Sequence, residues 1–181
     1  AVSGLLDRLS QFAIARGHDF AQILLQQLES KAPDADSDNS FALLLIDGLS
    51  IREEPVAHAL QHALGKIMLV GGSSGDDLKF AKTCVYINGH FHSDCAALIL
   101  ISTSLPFKIF KTQHFVPTDE RLVVTEADPA KRIIKEINGL PAAAEYARLV
   151  GVDVHDLNAI RFAASPVVVM IDGTDYVRAI Q

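Results

Sequence analysis

The chain is poor in cysteine, has no long hydrophobic run, carries no excess of positive charge and lacks the familiar phosphate-binding loops. Each absence removes a class of function. Only Cys84 and Cys95 occur among 181 residues, and they form no Cys-x-x-Cys pair. Two such cysteines read as buried thiols of a reducing compartment, not as a disulfide framework. Neither is followed by proline, so no Cys-Pro haem-regulatory pair is present. Apolar runs such as residues 96–101 and 167–171 are strand-sized and too short to cross a bilayer. A net charge of −6 gives no electrostatic pull toward nucleic acid or anionic lipid. No Gly-Lys-Ser/Thr follows a glycine-rich stretch, and Gly-x-Gly-x-x-Gly is absent, which excludes the two common nucleotide loops. The alternating carboxylates of residues 33–40 superficially resemble a calcium loop. They lack the sixth-position glycine and closing glutamate of an EF-hand.

What is present centres on Leu69-Val70-Gly71-Gly72-Ser73-Ser74-Gly75-Asp76-Asp77. A strand-like apolar run meets three glycines, two hydroxyls and two carboxylates. Glycine is used where φ turns positive or where a backbone or ligand comes close, so the stretch reads as a turn or a ligand-lining bend. One of Asp76 and Asp77 is expected to cap it through backbone N–H groups. Adjacent carboxylates on an extended chain face opposite sides, which argues against a paired acid and base.

Helical spacing over residues 5–16 and 20–28 predicts one long or two short amphipathic helices, with Asp19 as a cap. Residues 41–46 are continuously apolar, as in a strand covered on both faces. A helix over residues 52–64 follows, with Ser50 as cap, Glu53 completing a capping box and Pro55 in the first turn. His58 and His62 share a face of it; the spacing suits a metal, but no third ligand lies nearby in the sequence. Asn88-Gly89 signals a hairpin whose second arm places His90 and His92 on one face. Strands are expected over residues 94–102, 121–126 and 132–137, a helix over 141–150, and a final hairpin over 167–180. The fold class is α+β: mixed, largely antiparallel sheets with hairpins and three or four packed helices. Beginning at Ala1 and stopping inside a strand-like segment, the chain reads as truncated at both ends.

Five pieces in order carry a resemblance. They are the Gly71–Asp77 stretch, Tyr86-Ile87-Asn88-Gly89, Phe110-Lys111-Thr112-Gln113-His114-Phe115-Val116-Pro117, Leu122-Val123-Val124-Thr125-Glu126-Ala127, and Ile137-Asn138-Gly139-Leu140-Pro141-Ala142-Ala143-Ala144-Glu145-Tyr146. Together they resemble the FIST family of sensory input domains, over roughly residues 41–181. The resemblance implies that residues 1–104 are the later part of a FIST N-terminal domain and 105–181 the first part of the C-terminal one. It implies a cytoplasmic small-ligand sensor with no catalytic residues, no nucleic-acid or membrane partner, and possible homodimerisation. The partner would be a histidine kinase or a cyclic-dinucleotide enzyme.

His114 before Val116-Pro117 resembles the haem-binding, nitric-oxide-sensing branch. It would make His114 the axial metal ligand, with Phe115 and Val116 shielding the iron and Arg121 and Arg178 pairing with the propionates. His58, His62, His90, His92 and His155 compete for the ligand role. Gly71, Gly72, Ser73, Ser74, Gly75 and Asp76 are the expected ligand-binding bend. Two alternatives stand beside this. One is a haem-free sensor for a small polar metabolite such as an amino acid. The other is a hydrolase using Ser73 or Ser74, which would need a histidine base brought in by folding.

Overall fold

A computed structural model describes residues 1–77, 79–112, 114–129 and 131–180. The chain divides into two compact units, Ala1–Phe110 and Lys111–Gln181. Each is α+β, as the residue pattern predicts.

The first unit is a sheet with two helices on one face. Its strands are β1 (Val2–Leu6), β2 (Ser40–Asp47), β3 (Met68–Ser74) and β6 (Ala96–Ser102), in the order β1-β6-β2-β3. β2 and β3 are parallel, joined through helix α2 (Glu53–Leu64), while β6 runs antiparallel to both β1 and β2. Between β3 and β6 stands a hairpin of β4 (Val85–Ile87) and β5 (His90–His92). It turns at Asn88 and Gly89, both at positive φ, as a two-residue Asn-Gly turn requires.

Helix α1 (Ile14–Lys31) buries Ala21, Leu24 and Leu28, and α2 buries Val56, Leu60 and Leu64, against Leu44, Leu98 and Leu100 of the sheet. Along β2 the alternation is plain. Ala42, Leu44 and Ile46 point into this core, while Leu45 on the opposite face is 38% exposed. The expectation that both faces are covered is thus corrected. Among the described residues, the far face carries a small cluster of Val85, Cys95 and Ala97 with Leu5 and Ile87, and the ring of Phe107, 4.9 Å from Phe41. Cys95 is fully buried and its thiol is pushed up to about 11, chiefly by burial.

Two local expectations fail at the same end of the chain. Residues 2–6 are a strand, not the start of a helix, and Asp19 lies inside α1 instead of capping it. Apolar residues 5, 6, 9, 12 and 13 fit a helical period. Pairing of Val2 with Leu100 and Leu6 with Ala96 overrides that local preference with long-range hydrogen bonds. Nor does α2 have a capping box: Arg52 is its N-cap and makes no side-chain bond. The Ser50 hydroxyl instead accepts from the Arg52 N–H at 3.3 Å. With Ile51 at φ 51°, the chain enters the helix from a left-handed residue, and Ser50 is displaced from the capping position.

The second unit has a three-stranded antiparallel sheet, β7 (Val124–Asp128), β8 (Ile133–Ile137) and β9 (Leu140–Pro141). The turn Asn138-Gly139 leads through β9 into helix α3 (Ala142–Val150). A short helix α4 (Ala159–Ala164) precedes the hairpin β10 (Val167–Ile171) and β11 (Thr174–Arg178). Among the described residues no helix is long and apolar enough to cross a membrane.

Candidate functional site

The glycine-rich stretch that dominates the sequence is mostly strand. Gly71 pairs with Leu44 across the parallel β2–β3 ladder. A Cβ on Gly71 would lie 1.8 Å from the Leu44 carbonyl oxygen, whereas Gly72 and Gly75 face open space. Gly71 is therefore an approach of backbone to backbone.

Past the strand, Asp76 organises the bend. Its Oδ1 accepts from the Phe80 N–H at 2.9 Å, and its Oδ2 from Ala81 at 2.6 Å and Lys82 at 3.0 Å. Those N–H groups, Ala81's foremost, hold its carboxyl below the usual range. Asp76 thus takes the capping role expected of one of the two aspartates.

By its letters Gly71-Gly72-Ser73-Ser74-Gly75 satisfies Gly-x-Ser-x-Gly. A nucleophile elbow requires a sharp strand-to-helix turn, and Ser73 and Ser74 lie inside β3 with no helix following. The Ser74 hydroxyl donates to the Ile46 carbonyl at 3.4 Å. Among the described residues neither serine hydrogen-bonds to a histidine.

The second unit holds a cavity of about 780 Å³, within the range of small-molecule sites. One wall is the segment running into β7, from Phe115 through Arg121 to Val124. Another is α3, through Tyr146, Leu149 and Val150. The third is residues 164–170, from the end of α4 into β10, with Asp175 of β11. The walls are mainly aliphatic; Arg121, Glu120 and Asp175 contribute charge and Thr118 and Ser165 hydroxyls. Arg121 donates from Nη1 to the Thr118 carbonyl at 3.3 Å. Tyr146, buried, donates its hydroxyl to the Ser165 carbonyl at 2.7 Å. Burial pushes that phenol up.

A polar staple holds α3 in place beneath this cavity. Asn138 in the turn donates to Glu145 Oε1 at 2.9 Å, and Arg148 grips both carboxylate oxygens at 2.7 and 2.8 Å. The Arg148 and Asn138 bonds hold the Glu145 carboxyl down at about 2, although the residue is only 3% exposed. A group with a depressed folded pKa contributes stability above its unfolded value and loses it as pH falls through the folded one. The second unit should accordingly lose stability between about pH 4.5 and pH 2. Denaturant titrations across that range should show the loss in the natural protein and a much flatter profile in Glu145→Gln.

The structure brings Phe115 and Arg121 to the same cavity and leaves His114 and Arg178 out of its wall. His114 is exposed, its ring edge-on to Phe115 at 5.1 Å. Arg178 lies 5.8 Å from the Tyr176 ring centroid, which Lys111 also approaches at 5.2 Å. No histidine or cysteine lines the cavity among the described residues. Tyr146 is committed to Ser165, and Met170 is 58% exposed. These residues do not fit an axially ligated haem. Sequence reasoning missed Tyr146, Ser165 and Asp175 as cavity residues. Tyr146 stood in the fifth motif, but nothing in the pattern separates a cavity residue from a core one.

With the geometry in place, comparison with known proteins is decisive on family. The model of the FIST N domain matches residues 2–140. The chain belongs to the FIST family. The match begins well before the residues that first carried the resemblance, and it runs past the division at Phe110 into α3's approach. A curated relative, Uncharacterized protein MJ1623 of Methanocaldococcus jannaschii, is 25% identical over 142 residues, covering 78% of this chain and 27% of the relative. The FIST chain thus spans about a quarter of that relative's length. No solved structure matches it. FIST domains are sensory, signal-transduction modules.

Proposed function

We propose that this FIST chain senses a small organic ligand without haem, and that the cavity of the second unit receives it. The observation that carries the reading is the cavity itself: aliphatic walls suited to a ligand's carbon skeleton, with Arg121, Glu120 and Asp175 placed to orient polar ends. A small polar metabolite with an apolar portion fits those walls better than a macrocycle whose expected ligand, His114, stands outside them. Ligand binding would favour one arrangement of the protein over another, and the shift would be read by a partner histidine kinase or cyclic-dinucleotide enzyme in the cytoplasm.

The test is a thermal-shift screen of amino acids and related metabolites, followed by calorimetric titration of hits. Binding should disappear in Val168→Trp, which fills the cavity, and weaken at least tenfold in Arg121→Ala. Hits unaffected by both variants would sink the proposal. A parallel visible spectrum with added haem, with and without nitric oxide, covers the other reading. A sharp band lost in His114→Ala but kept in His58→Ala and His62→Ala would replace the present proposal with the haem one.

A further inference from the structure

Asn-Gly occurs twice in the chain, at Asn88-Gly89 and at Asn138-Gly139. The fold gives the two pairs the same backbone. Each turns an antiparallel hairpin, β4 into β5 and β8 into β9. The φ angles are 53° and 83° at the first pair and 54° and 77° at the second. All four residues are exposed, so access to water does not separate them.

Hydrogen bonding does. Asn138 Nδ2 donates to Glu145 Oε1 at 2.9 Å, and its Oδ1 accepts from the Val123 N–H at 3.0 Å. The Gly139 N–H donates to the Thr125 hydroxyl at 3.0 Å. Among the described residues, neither the Asn88 side-chain amide nor the Gly89 N–H has a hydrogen-bond partner. The hairpin around Asn88 is also short, and its outward pair, Tyr86 and Phe91, is 59% and 74% exposed. A ribbon of this length opens locally at little cost.

The difference bears on a reaction that Asn-Gly undergoes unaided. The glycine backbone nitrogen, having lost its proton to hydroxide, attacks the asparagine Cγ. The Cγ–Nδ2 bond breaks, ammonia leaves with a proton from water, and a five-membered succinimide remains. Water then opens the ring. Attack at Cγ gives aspartate, and attack at the main-chain carbonyl gives isoaspartate, in which the chain runs through the side chain. Glycine favours the first step because no Cβ hinders its nitrogen. A bond to the glycine N–H withholds the nucleophile, and bonds to the side-chain amide hold Cγ in place.

We propose that Asn88-Gly89 is a site of spontaneous deamidation and that the fold shields Asn138-Gly139 from the same reaction. The site lies in the first unit and does not depend on the sensing proposal. The aspartate product keeps a turn that Asp-Gly also forms. Isoaspartate lengthens the main chain by a methylene and should undo the pairing of Val85 with His92.

The experiment is incubation of the whole chain in mildly alkaline buffer, folded and in denaturant. Trypsin digestion and mass spectrometry then follow peptides 83–108 and 136–148, each of which holds one asparagine. In the folded chain the first peptide should convert from amide to acid at least about tenfold faster than the second. It should give both aspartate and isoaspartate forms, at a rate that rises with pH, and the two peptides should react equally once unfolded. Thr125→Val, which takes the acceptor from the Gly139 N–H, should speed the reaction at Asn138, and Thr125→Ser should not. Equal rates in the folded chain, faster reaction at Asn138, or an Asn88 peptide that stays intact while the denatured chain reacts overturns the proposal. So does a difference that persists in denaturant, which would belong to the neighbouring sequence and not to the fold. Asn138 as slow in Thr125→Val as in the natural chain overturns the shielding by that bond. Circular dichroism confirms that each variant is folded; if Thr125→Val is not, the folded and denatured rates of the natural chain decide.

Discussion

Gly71→Ala should destabilise the first unit by about 3 kcal/mol, with Tm falling on the order of 10 °C or more. The added methyl would sit 1.8 Å from the Leu44 carbonyl oxygen. That oxygen belongs to β2, a central strand held by β6 on one side and β3 on the other. Neither backbone can give way without breaking ladder bonds, so the strain stays. Gly72→Ala, one residue on, faces open space and should change stability by no more than about 0.5 kcal/mol. Urea denaturation of the two variants separates the readings of this stretch. Equal effects would mean that the glycines do not serve backbone approach.

Asp47→Ala should cost about as much, again about 3 kcal/mol, because it takes the acceptor from a buried hydroxyl and two half-buried N–H groups. Asp47 ends β2 and is only 5% exposed. Its Oδ1 accepts from the Leu49 N–H at 3.0 Å and from the Thr83 hydroxyl, and its Oδ2 accepts from the Asp94 N–H at 2.6 Å. Asp94 in turn receives the Ser10 N–H and hydroxyl, each at 2.7 Å. One carboxylate thus ties the end of β2 to the segment before β4 and, through Asp94, to the turn after β1. Asp47→Asn keeps the shape but presents an amide N–H where an acceptor is needed, so it should also destabilise by about 1–3 kcal/mol. A loss below about 0.5 kcal/mol in both variants would show that water replaces the carboxylate without cost.

How much of this was legible beforehand follows the range of the interactions. The hairpin at Asn88-Gly89, the turn at Asn138-Gly139 and the helix after Pro141 were readable, because each is decided by neighbours in sequence. The strand at residues 2–6 was not. Its partner is β6, almost a hundred residues away, and a short apolar stretch cannot announce a pairing at that distance. The same limit governed the sites. That one of Asp76 and Asp77 caps the bend was readable, because the donors lie four to six residues on; that it is Asp76 came from the structure. His114 was named for its motif, and only the fold could show which side chains share a wall with Arg121.

By itself the sequence determined the α+β class, the turns, the order of most elements and the FIST relationship. These rest on periodicity, on residues that tolerate unusual φ, and on motifs in order, all of which survive in one dimension. Tertiary structure alone decided that Gly71 meets a backbone and that Phe115 and Arg121 reach one cavity while His114 does not. Each is a meeting of groups far apart along the chain, brought about by packing, and packing depends on every contact at once.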